Sequence, residues 1–117
     1  IITSHTLNGS NGSHAGGISV FLKNLNSNEI VFQTSMDSGG RLNETVSPEN
    51  IDVNAKYELV FNTRNYWEKQ DKHKNKDRDR VVEEVVIRFK MPNKNKKYHF
   101  PIIVSPNSYS TWWSEGE

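Results

Sequence analysis

Apolar residues recur at every second position almost wherever this chain has a hydrophobic period, and that alternation restricts it to half-buried strands. Ile18, Val20 and Leu22 alternate with Ser19, Phe21 and Lys23, so residues 17–24 read as a strand with one strongly apolar face. The same reading gives strands at Ile1–Leu7, Glu29–Gln33, Tyr57–Phe61, Val81–Phe89, Tyr98–Val104 and Tyr109–Trp113. Composition agrees: 18 Val and Ile stand against 5 Leu and 2 Ala, an excess of β-branched residues over helix formers. Turn-forming clusters such as Asn8–Ser13, Gly16-Gly17, Ser38-Gly39-Gly40 and Ser105-Pro106-Asn107 separate the strands. Short strands at this spacing predict an all-β antiparallel sandwich or barrel. One short helix is expected around Asn65–Lys69, with Thr63 as its N-cap.

Length and charge remove most other classes. The 117 residues make one domain, 1–117, with no room for a second core. With no Cys, disulfide scaffolds, Cys-ligated zinc and thiol chemistry are excluded. The longest apolar runs fall far short of the roughly 18 residues of a membrane helix. Lys and Arg (15) nearly balance Asp and Glu (14), so no global field draws the chain to nucleic acid or acidic lipid. No membrane or nucleic-acid partner is therefore expected. The mixed-sign run Glu68–Arg80 and the turn carrying Lys94, Lys96 and Lys97 read as solvated loops. A mean hydropathy of −0.78 makes oligomerisation a plausible further source of stability. No leader is recognisable, and the cytoplasm is the default expectation for location.

The familiar catalytic motifs are missing: there is no phosphate-binding Gly loop, no His-Glu-x-x-His and no nucleophile elbow. What remains is histidine placed oddly within apolar strands. Alternation sends Tyr98, Phe100, Ile102 and Val104 to the core and leaves His99, Pro101 and Ile103 on the opposite face. His5 sits likewise inside the first strand. An imidazole on an apolar outer face implies a covered surface or a groove, and two of them suit general base and acid. His14 and His73, in turn and charged-loop contexts, read as solvent-exposed.

Six stretches in register resemble the transthyretin-related family, and within it the 5-hydroxyisourate hydrolases. They are Thr3-Ser4-His5-Thr6-Leu7-Asn8, Ala15-Gly16-Gly17-Ile18, Ser38-Gly39-Gly40-Arg41, Tyr57–Thr63 with Tyr66-Trp67, Tyr98–Pro106, and Tyr109-Ser110-Thr111. The resemblance implies a transthyretin-like two-sheet antiparallel β-sandwich of eight strands with one short helix. It also implies a homotetramer, a dimer of dimers, whose active sites lie in the channel where the dimers meet. The family's catalytic positions fall on His5, Arg41 and His99, three side chains that its hormone-carrier branch lacks.

That assignment implies hydrolysis of 5-hydroxyisourate, a small, flat, anionic lactam, to 2-oxo-4-hydroxy-4-carboxy-5-ureidoimidazoline in urate degradation. His5 and His99 would orient and deprotonate water, and Arg41 would hold substrate and oxyanion. Neither metal nor cofactor is implied. The family's terminal Tyr-Arg-Gly-Ser is replaced here by Trp112, Trp113, Ser114 and Glu115. Trp112 and Trp113 would then offer stacking walls to a flat ligand, or packing surface instead, and Ser114 a hydroxyl. The loss of the Arg and the added Glu115 carboxylate leave a second reading open. On it, a catalytically impaired tetramer binds a flat small molecule in its central channel.

Overall fold

A computed structural model describes residues 1–70 and 81–115. His73 and most of the charged run Glu68–Arg80 lie outside the described residues. Among the described residues eight strands form: β1 (Ile2–Asn8), β2 (Ser19–Asn24), β3 (Ile30–Ser35), β4 (Arg41–Glu44), β5 (Tyr57–Phe61), β6 (Val85–Phe89), β7 (Tyr98–Ser105) and β8 (Ser108–Thr111). One helix, α1 (Thr63–Gln70), follows β5, and a single 3-10 turn spans Pro48–Asn50. The strands make two four-stranded sheets, ordered β4-β1-β7-β8 and β3-β2-β5-β6. Every pairing is antiparallel except β1 with β7, which run parallel in the middle of the first sheet.

Period-two alternation sends one face of each sheet inward. Ile2, Leu42, Tyr98, Phe100, Ile102 and Val104 meet Val20, Leu22, Tyr57, Leu59, Phe61 and Val85 in one core. Phe89 joins the layers, its ring centroid 4.8 Å from that of Phe100. The other face of the β4-β1-β7-β8 sheet is left to His5, His99 and their neighbours.

The structure corrects several sequence expectations. β4 was not expected, because Leu42 is the only buried apolar residue in Arg41–Glu44 and one residue shows no period. β6 starts at Val85 rather than Val81. Its partner β5 ends at Phe61, opposite Val85, so the residues before Val85 have no ladder to join. The helix is capped by Asn62 rather than Thr63: Asn62 Oδ1 accepts the Asn65 amide at 3.3 Å, while Thr63 is itself helical and buried. Tyr66 and Trp67 bury the helix's inner side, and Asn8 Nδ2 donates to the Tyr66 hydroxyl at 3.0 Å, tying α1 to β1.

The last strand stops at Thr111 and not at Trp113. In the β7–β8 register Trp112 falls opposite Pro101, which has no N–H to donate. The ladder breaks there and resumes where Ser114 and His99 exchange both backbone hydrogen bonds, at 2.9 and 3.1 Å.

Candidate active site

The turn before β4 places the cation. Asp37 Oδ1 accepts the amides of Gly39 and Arg41, both at 2.9 Å, closing a tight loop. Gly40 has φ of 72°, and a Cβ there would lie 2.6 Å from the Thr6 carbonyl oxygen. Only glycine tolerates both conditions. The Gly40 carbonyl in turn accepts the Thr6 amide at 2.8 Å, so the turn is pinned to β1. Arg41 thereby enters β4 directly opposite His5.

Parallel pairing of β1 with β7 adds the second histidine. Thr3 lies opposite His99 on one side and opposite Asn43 on the other. Two rows therefore cross the outer face: Arg41, His5 and Pro101 in one, Asn43, Thr3 and His99 in the next. Two strand residues separate the rows, about 6.6 Å at the usual rise, so one small ligand spans them. Thr3 Oγ1 lies 2.7 Å from His99 Nδ1 and orients that imidazole.

A cleft of about 390 Å³ opens over this face, with Thr3, Arg41, Asn43, Lys97 and His99 among its lining residues. Its charged lining groups are cations, which suits an anion. His5 stands at the cleft's Arg41 side rather than in its wall. Burial holds the His5 imidazole below its ordinary range, with help from the Arg41 charge, His14 and His99; the Gly39 backbone opposes them. Burial does the same to His99, aided by Lys97 and Arg41 and opposed by a hydrogen bond to the Thr3 backbone. Both rings are thus set to be neutral, with a lone pair to take a proton, at neutral pH.

The C-terminal candidates follow at the β8 edge of these rows, Trp112 opposite Pro101 and Ser114 opposite His99. Trp112 and Trp113 are each about half exposed (49% and 50%), and neither lines the cleft. Trp113 sits under Lys96, whose Nζ is 5.9 Å from the ring centroid. Lys96 also pairs with Glu115 at 2.5 Å, so that carboxylate is matched by a cation of its own. Ser114 meets the site at His99, through the paired backbone hydrogen bonds.

Four polar partners escaped the sequence reading. Thr3 shares the His5 face by simple alternation, and that signal was available. Asn43 and Lys97 gave none, because β4 was invisible and Lys97 sits among other turn lysines. His14 is exposed as expected, but its Nδ1 lies 2.8 Å from His5 Nε2.

Comparison with known proteins identifies the family. The model of the HIUase/Transthyretin family matches residues 2–113. A probable 5-hydroxyisourate hydrolase of Caenorhabditis elegans is 35% identical over 95% of this chain and 78% of its own length. The 5-hydroxyisourate hydrolase of Pseudomonas aeruginosa is 27% identical over 95% of this chain and 88% of its own. Among solved structures, an (S)-allantoin synthase superposes with a TM-score of 0.80 at 25% identity; 97% of this chain matches, and it spans 43% of that one. A family match over residues 2–113, on a chain folded as two four-stranded sheets, leads to one conclusion: the chain belongs to the HIUase/Transthyretin family.

Proposed function

We propose that this chain is a 5-hydroxyisourate hydrolase, folded as one domain and working as a homotetramer in which the outer face of the β4-β1-β7-β8 sheet lines a channel between dimers. One observation carries the reading: His5, Arg41 and His99 occupy neighbouring register positions on one sheet face, beside a cleft lined by cations. The relatives named for this activity match along 95% of the chain.

The residues divide the chemistry as their environments allow. The anionic lactam enters the cleft against Arg41 and Lys97, with Arg41 offering a planar, two-pronged donor to its oxygens. A neutral imidazole takes one proton from water, and the hydroxide equivalent adds to a ring carbonyl. His99, fixed by Thr3, is placed for this step with His5 beside it. The resulting oxyanion is stabilised by Arg41. The carbonyl re-forms as the ring C–N bond breaks, and the protonated imidazole returns its proton to the departing nitrogen. Such acid–base help is worth roughly 10²–10⁴-fold. The Glu115 carboxylate, paired with Lys96, does not cancel the cations of the cleft.

Apolar Leu7, Pro101 and Ile103 flank the histidines on the same face, with Ile103 38% exposed. Apolar side chains on the face that bears the polar site favour cover by a second copy.

The test is the decay of 5-hydroxyisourate, generated from urate by urate oxidase and followed by ultraviolet absorbance. The expected result is acceleration above the spontaneous rate, by a species that sediments as a tetramer. A folded tetramer that leaves the spontaneous rate unchanged would overturn the reading.

A further inference from the structure

Building on the hydrolase reading, we propose that His14 is a positioning residue for His5: it holds the His5 imidazole in one tautomer and orientation through the Nδ1···Nε2 hydrogen bond.

The chain goes to some length to make this contact. After β1 it loops through residues 9–13 and returns antiparallel, so that His14 lies opposite Leu7. Asn8 N–H donates to the Ser13 carbonyl at 2.8 Å, Gly12 N–H to the Asn8 carbonyl at 2.7 Å, and Ala15 N–H to the Thr6 carbonyl at 2.9 Å. This bracket leaves the exposed His14 ring edge to edge with that of His5, centroids 4.9 Å apart and planes 26° from parallel. The facing nitrogens are 2.8 Å apart.

Two neutral imidazoles at that distance share a single proton. One ring donates and the other presents its lone pair, so the tautomers of the two rings are locked together. A histidine that handles protons needs such a lock, and a carboxylate or carbonyl commonly supplies it. The groups that act on His5 are Arg41 from β4, the Gly39 backbone from the turn before it, His99 from β7 and His14 from the loop. None is a carboxylate; the Gly39 backbone hydrogen-bonds the imidazole from the turn, and His14 engages the ring at Nε2. Among the side chains, Arg41 is a donor only and His99 acts on His5 by charge. His14 is the side chain hydrogen-bonded to the His5 ring.

The pairing also carries a condition. Two imidazolium rings have no lone pair to share and repel each other, so the contact holds only while at least one ring is neutral.

The experiment compares His14→Ala with His14→Asn, whose short amide keeps a non-titrating hydrogen-bond partner near the Nδ1 position. Two readouts are taken: kcat/KM against pH, and the His5 titration and tautomer by NMR of the whole tetramer. His14→Ala is expected to lower kcat/KM roughly tenfold, the size of one lost hydrogen bond, mostly in kcat. It should also move the His5 pKa upward and mix its tautomers, while His14→Asn recovers most of the rate and a single tautomer. An unchanged His5 titration and tautomer in His14→Ala would overturn the proposal, as would His14→Asn behaving no better than Ala. If wild type fails to accelerate decay at all, the hydrolase reading falls separately. The NMR comparison then still decides whether His14 holds His5.

Discussion

Arg41 faces His5 and Thr3 faces His99 because β1 is paired on both sides, so the polar cluster is a property of register rather than of sequence proximity. Burial and nearby cations depress both imidazoles, and Arg41 acts on each of them. The pH dependence follows. The acid limb of kcat/KM, which reports groups of the free enzyme, should lie below the ordinary imidazole value of about 6.5, with activity flat through neutrality. A limb at or above that value would contradict the assigned environments. Stability has the same sign. The unfolded chain takes up protons on these histidines at higher pH than the fold does, so stability falls as pH drops from about 6.5 through the lowered folded values. Urea midpoints measured across that window check it. His5 and His99 were legible from alternation, as imidazoles on otherwise apolar faces. Arg41 was named only by its resemblance to a family turn. Lys97 and His14 were not legible, since nothing local distinguishes a cleft lysine or a hydrogen-bonded histidine from other loop residues.

Among the elements, the Asp37–Arg41 turn has the narrowest tolerance. Gly40→Ala would place a methyl 2.6 Å from the Thr6 carbonyl oxygen in a left-handed backbone. The strain alone is about 1–3 kcal/mol, and relieving it moves Arg41 away from His5. The variant should unfold at lower urea and lose activity beyond what its stability explains; unchanged kcat/KM would separate the turn from the site. Most strands were readable because their apolar residues alternate over five or more positions. β4 was not, with Leu42 as its only buried apolar residue. Where β8 ends depends on an interaction across strands: Pro101 denies Trp112 a partner N–H, and no pattern within residues 108–113 carries that information. The parallel β1–β7 pairing is equally non-local, and it is the pairing that brings His99 to Thr3.

For the whole molecule, a polar site and an apolar fringe share one sheet face, and the proposed tetramer covers both with a second copy. Ile103→Lys introduces a charge into that fringe, on a side chain already 38% exposed in the single chain. It should leave the sandwich folded by circular dichroism, shift sedimentation to smaller species and reduce hydrolysis with them. A fully active tetramer would contradict the channel. A β-sandwich or barrel was legible from strand count and turn spacing, whereas the two-sheet form and the assembly came from resemblance, because a surface pattern does not reveal what covers it. The most direct measurement of the central claim is kcat/KM for 5-hydroxyisourate in His5→Ala, Arg41→Ala and His99→Ala, each verified as a folded tetramer. Every one is expected to fall by roughly 10²-fold or more, the scale of a lost acid–base or oxyanion group. Wild-type activity in any one of the three would contradict it.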